Sequence, residues 1–83
     1  MSDKMSKEEK IRFYATAPRA TVGTISQIVD RDFRTYFVGK LRGRIVSGAD
    51  GEYRHSTKEA ALECARWFRR MAREEAAKAG IAV

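Results

Sequence analysis

From Ser56 to Gly80 the chain carries one unbroken helical pattern, and in a chain of 83 residues that element constrains everything else. Ser56 followed by Glu59 has the spacing of a capping box, with Ser56 as N-cap. Good helix formers continue to Lys78, and Gly80 stands where a left-handed terminating glycine is expected. At 3.6 residues per turn, Ala61, Cys64, Ala65, Phe68, Met71 and Ala72 share one apolar stripe. Arg66, Arg69, Arg70 and Arg73 form another stripe, well away from the first. Glu63, Glu74 and Glu75 lie within pairing reach of them, which reads as a solvated helix face. The apolar stripe is lined with alanine, so it permits a flat partner to approach closely.

That partner lies upstream. Ala20 to Val29 contains Thr21, Val22, Thr24, Ile25, Ile28 and Val29, mostly β-branched and suited to a pleated surface. Asp30-Arg31-Asp32 breaks the run as a turn. Phe33 to Leu41 follows with a two-residue alternation. Phe33, Thr35, Phe37, Gly39 and Leu41 share one face, and Arg34, Tyr36, Val38 and Lys40 the other. Gly43 is either a hairpin turn or a bulge in one long strand. Arg44 to Ala49 leads to Asp50-Gly51, a strong two-residue hairpin signal, with Glu52 to His55 as the return strand. The expected fold class is α+β: a three- or four-stranded antiparallel sheet, covered on one face by a single C-terminal helix. Phe37 and Phe68 are expected to touch in that core, while the other sheet face is left to water, as antiparallel sheets tolerate.

The first residues read differently. Residues 1–18 form an N-terminal arm, flexible or folded into a short helix. Ser6 and Glu9 have capping-box spacing before a helix from Lys7 to about Ala17, with Ile11, Tyr14 and Ala15 on one side and Pro18 as its stop. Residues 19–80 then make one β-β-β-α domain, and residues 81–83 a tail. A chain of this length holds one domain and a thin core. Its hydrophobic content of 43% is close to the globular average. Cys64 is the sole cysteine, so no internal disulfide forms, which suits a reducing compartment. Met1-Ser2-Asp3-Lys4 is polar, with no secretory h-region after it. No apolar run approaches the ~20 residues that span a bilayer. A cytoplasmic location away from membranes is expected.

Charge points to the partner. Seventeen Lys and Arg against eleven Asp and Glu leave a net charge of +6, which attracts polyanions at long range. If the alternation persists through Gly43, the uncovered sheet face displays Arg34, Tyr36, Lys40, Arg42 and Arg44. The acids Asp30, Asp32, Asp50 and Glu52 cluster at the turns instead. A solvated face would mix the signs more evenly. Arg and Lys suit phosphate oxygens, and Arg forks suit guanine edges in a major groove wide enough for a β-ribbon.

Catalytic chemistry is not indicated. His55 is the sole histidine and has no neighbouring ligand set for a metal. Cys64 on the apolar stripe reads as a small buried hydrophobe. Trp67 sits on a shoulder of the stripe, covering the core edge. No glycine-rich phosphate loop, carboxylate pair or Ser/His/Asp set stands out, and no cofactor is expected.

The passage Glu52-Tyr53-Arg54-His55-Ser56-Thr57-Lys58-Glu59-Ala60-Ala61, set between strands and one amphipathic helix, resembles the AP2-like DNA-binding domains of tyrosine recombinases. Thr57-Lys58-Glu59-Ala60 matches their strand-to-helix passage, and Val22-Gly23-Thr24-Ile25 looks like their first strand. The resemblance runs from about Ala20 to Ala77. It implies duplex DNA bound by the open sheet face, through Arg34, Tyr36, Lys40, Arg42 and Arg44. The stretch from Leu41 to Gly51 is longer than in that family, which bears on the register of Arg42 and Arg44. If residues 7–17 are helical, the order α-β-β-β-α is similar to double-stranded-RNA-binding domains, with Lys58 near the start of the last helix. Those domains usually carry a lysine cluster there, which this chain lacks. The reading is therefore a nucleic-acid-binding module, duplex DNA favoured over RNA. The alternative is a protein-interaction module or homodimer, using a sheet edge, Trp67 or the apolar tail Ile81-Ala82-Val83.

Overall fold

In the computed structural model, which describes residues 5–83, the chain begins with helix α1 (Lys7–Ala15). Its start is a complete capping box. Ser6 Oγ accepts from the Glu9 N–H at 3.1 Å, and Glu9 Oε1 accepts from the Ser6 N–H at 3.3 Å. The first four residues of the expected arm lie outside the described part. Residues 7–15 take the helical form of that segment and pack against the C-terminal helix, with Ala15 and Ala17 buried.

Strands β1 (Ala20–Val29) and β2 (Asp32–Leu41) pair antiparallel without a break, from Ala20 opposite Leu41 to Val29 opposite Asp32. Asp30 and Arg31 join them with φ values of 51° and 70°, the left-handed pair that a two-residue type I′ connection requires. The connection from β2 to β3 (Arg44–Ile45) repeats this geometry at Arg42 and Gly43, φ 52° and 78°, so Gly43 belongs to a turn and not to a bulge. The sheet is three-stranded, in the order β1-β2-β3.

Two strand expectations need correction. The third strand ends at Ile45, and Glu52–His55 forms no strand. It touches β2 through one bridge, in which Phe37 and His55 exchange backbone bonds of 2.8 Å. The cause lies between them: Val46 turns inward and is buried, and the tight bonds Gly48 N–H to Glu52 O and Gly51 N–H to Gly48 O use up the residues that would have extended a hairpin.

Helix α2 (Lys58–Ala79) is capped by Thr57, one residue later than its sequence suggests, because Thr57 is extended and its Oγ1 accepts from the Ala60 N–H at 3.1 Å. It ends as expected, at Gly80 with φ 70°. The Ile81 N–H returns to the Ala76 carbonyl at 2.9 Å, a Schellman closure that folds Ile81 back against Ala15, Ala72 and Ala76. Ala61, Cys64, Ala65, Ala72 and Ala76 are its buried positions.

The core forms where α2 crosses one end of β2. A Cβ on Gly39 would collide with the Ala61 carbonyl and lie 2.9 Å from the Ala65 Cβ, so the missing side chain sets the helix-to-sheet distance. Leu41 is fully buried with Ala17, Val46 and Ala65. The expected Phe37–Phe68 contact gives way to another. Phe68 lies at the Leu41 end of α2 and stacks edge-on against Tyr14 of α1, with ring centroids 5.1 Å apart. Phe33 shares the covered face but lies beyond the helix, and it is 72% exposed. Trp67, Phe68 and Met71 of α2 face Ile11 and Tyr14 of α1 across an apolar groove of about 240 Å³.

Candidate nucleic-acid interface

With Gly39 aimed at α2, its neighbours Val38 and Lys40 point to the other sheet face. Arg34, Tyr36, Val38 and Lys40 of β2 stand there beside Gln27, Ile25, Gly23 and Thr21 of β1. Three of the five residues named from the sequence therefore share this face: Arg34, Tyr36 and Lys40. The Lys40 stem lies flat over Gly23, its Cε only 2.7 Å from where a Cβ would stand, which carries the ammonium across β1. Among the described residues Lys40 has no ion-pair partner. Arg34 lies 4.0 Å from Asp32, in a pair whose side chains are both more than half exposed.

Residues the strand alternation did not assign complete the surface. The Arg54 guanidinium sits 5.4 Å from the Tyr36 ring centre and 5.7 Å from that of Tyr53. Its NH1 donates to Gln27 Oε1 at 3.2 Å, and Gln27 Nε2 donates to the Tyr53 hydroxyl at 3.3 Å. Glu52 Oε1 accepts from the Arg54 N–H, the Tyr53 N–H and Arg54 Nε at 2.9, 3.0 and 3.3 Å. Its bonds with Arg54, backbone first and side chain second, hold the Glu52 carboxyl below its ordinary range. The face is thus partly roofed, and Val38 on it is fully buried. A signal for Arg54 was present in the sequence: a segment returning along β2 puts alternate residues over one face, and the bridge at His55 sets Arg54 on the side of Tyr36.

Arg42 and Arg44 are elsewhere, because the turn reverses the alternation. Arg44 pairs with Leu41 and so shares the α2 side, where its guanidinium lies 5.1 Å from the Phe13 ring centre. Arg42, in the turn itself, reaches the end of α1. Its Nε donates to the Phe13 carbonyl at 2.9 Å and its NH2 to the Thr16 carbonyl and Thr16 Oγ1 at 3.1 Å each. Two arginines of the α2 stripe expected to face solvent join it. Arg73 Nε donates to the Ala15 carbonyl at 3.1 Å, and Arg69 NH1 to the Ala17 carbonyl at 3.3 Å. Carbonyls that end a helix carry partial negative charge and need donors; Arg42 and Arg73 supply them to the last turn of α1, and Arg69 serves the carbonyl just beyond its cap. Arg66 pairs with Glu63 at 3.4 Å and Arg70 is exposed, as a solvated stripe would have it.

Among the described residues no three His, Cys, Asp or Glu side chains converge on a metal-sized site, and no helix is long and apolar enough to cross a membrane. Cys64 is buried, its Sγ 3.8 Å from the Val46 carbonyl; burial, with the Asp50 carboxylate adding to it, pushes the thiol pKa up from 9.0. No family model, curated protein or solved structure matches the chain.

Proposed function

We propose that the protein binds duplex nucleic acid, DNA in preference to RNA, on the sheet face that carries Arg34, Lys40 and Arg54. The observation that supports this reading most is that Arg34 and Lys40 of β2 and Arg54 of the segment bridged to it share one sheet face, with Tyr36, Tyr53 and Gln27 between them. A two-stranded ribbon such as β1–β2 enters the major groove of B-form DNA, whereas the A-form groove of RNA is too deep and narrow for it. The cations contact phosphates, and Gln27 and Tyr36 face the base edges. The chain's net charge of +6 steers the duplex in from a distance.

Fluorescence anisotropy of a labelled duplex, titrated across salt concentrations, tests this. Three phosphate contacts give a log–log salt slope of roughly −3, and binding without a cognate site falls in the range of about 10⁻⁴–10⁻⁶ M at physiological salt. Replacing Arg34 and Lys40 together by Ala flattens the slope by about two units and leaves the circular dichroism unchanged. Replacing Arg66 and Arg70 on α2 changes it much less. Absence of binding at low salt, or a helix pair that matters more than the sheet pair, overturns the reading.

The element order favours a second reading. The sequence α1-β1-β2-β3-α2, with Lys58 as the first residue of α2, is the order of double-stranded-RNA-binding domains. In that case the same titration gives tighter binding to duplex RNA and is lost on Lys58→Ala.

A further inference from the structure

Helices α1 and α2 run antiparallel where they pack, because Tyr14 meets Phe68 while Ile11 meets Ala72 and Ala76, further along α2. Both helices carry large apolar side chains at this seam. Ile11 and Tyr14 of α1 and Trp67, Phe68 and Met71 of α2 are all left partly exposed, and together they wall the groove of about 240 Å³. Ala72 lines it as well, and its methyl is too small to fill the space.

The two ends of the groove differ. Tyr14, Trp67 and Phe68 stand at one end, and Lys7 and Lys10 stand toward the other with Glu75, all three exposed. Among the described residues none of these three charges has an ion-pair partner. Two ammoniums against one carboxylate leave that end positive, in a chain whose net charge is already +6. At 1.5 Å per residue, the groove runs about 10 Å along α1 from Lys7 to Tyr14 and about 12 Å along α2 from Trp67 to Glu75.

Length and volume together select the occupant. A stable protein partner needs about 800 Å² on each side, more than two turns of each helix present. Sites for drug-sized molecules run to about 300–1,000 Å³, so the molecule that fits here is smaller and slender. We propose that this groove binds a free straight-chain carboxylate. The hydrocarbon body lies against Trp67, Phe68 and Met71, where burial drives it in. The carboxylate stays at the open end and accepts from the Lys7 and Lys10 ammoniums. The site stands whether or not the sheet face binds nucleic acid.

Trp67 is the sole tryptophan, so its emission reports the groove directly. Titration of the full chain with decanoate, below the concentration at which it forms micelles, is expected to change that emission saturably with circular dichroism unchanged. Decanol, the same chain without the charge, is expected to bind about tenfold more weakly, and replacing Lys7 and Lys10 together by Gln weakens decanoate by the same factor. Replacing Arg31 and Arg66 by Gln removes the same charge elsewhere and leaves decanoate binding unchanged. Should the lysine variant unfold, the decanol comparison on the wild type decides. No saturable change with decanoate, or equal binding of decanol, overturns the proposal. So does emission that varies with protein concentration in the absence of ligand, which gives the groove to a second copy. Emission moved by phosphatidylglycerol vesicles but not by decanoate gives it to a membrane surface and overturns the proposal too.

Discussion

Arg42 looks from the sequence like one more cation on a basic strand, and in the structure it does the work of a helix cap. It holds φ 52°, a conformation that disfavours any residue with a Cβ, and spends its guanidinium on two carbonyls and one hydroxyl of residues 13 to 16. Bonds from a charged donor contribute more than neutral ones, but these are partly exposed. Arg42→Ala is expected to cost about 1.5 kcal/mol, a fall in Tm of roughly 6–12 °C for a domain of this size. Arg42→Lys recovers little, since an ammonium lacks the fork that reaches both carbonyls. Thermal melts of the two variants check this, and a loss of duplex binding without a loss of Tm would return Arg42 to the binding face. Cys64 makes a second residue-scale test. Its folded pKa is raised, so the fold favours the protonated thiol. The stability this contributes is complete below the ordinary value of 9.0 and is lost as pH rises through the raised one. The stability difference between the wild type and Cys64→Ala, read from urea midpoints, should narrow between about pH 8 and pH 10.

At the scale of elements, the seam between α2 and β2 depends on absent side chains. Gly39 against Ala61 and Ala65 brings the helix to contact distance with the sheet backbone. Gly39→Ala inserts a methyl where a helix carbonyl already stands, at a cost of about 3 kcal/mol, near the upper end for an overpacked core. Urea unfolding measures it, and a variant within 1 kcal/mol of wild type, by the same scale, would mean that α2 rides farther from the sheet. The alanine stripe made this seam legible in advance, as alternation did for β1 and β2 and the Ser6–Glu9 spacing for α1. Each of those signals is local: a period or a cap that one element carries by itself. What stayed hidden depends on chain direction after a turn. Alternation carried straight through Gly43 places Arg42 and Arg44 with Lys40, but the two left-handed residues Arg42 and Gly43 start a new strand on which Arg44 shares the side of Leu41. Arg34, Tyr36 and Lys40 precede the turn and kept their place. Asp50-Gly51 does turn the chain, yet buried Val46 draws the preceding residues inward, so the return delivers Tyr53 and Arg54 onto the face instead of a fourth strand.

Over the whole molecule, the cations divide into two populations. Arg42, Arg69 and Arg73 serve carbonyls at the end of α1 and just beyond it, while Arg34, Lys40 and Arg54 stand on the far side of the sheet. A net charge read from composition counts both alike, although the first group already donates to backbone carbonyls. The molecule is flat, 47 by 34 by 21 Å. The docking of α1 also governs when the protein can be completed during synthesis. The carbonyls of Phe13, Ala15 and Ala17 take their donors from residues 42, 73 and 69, and Arg12 donates to the carbonyl of residue 82. A nascent chain that has emerged only as far as residue 57 holds the β1–β2 hairpin but none of the helix α1 packs against. Tyr14 and Leu41 then face solvent or a chaperone for the time it takes to translate another twenty residues, about one to four seconds at ordinary elongation rates.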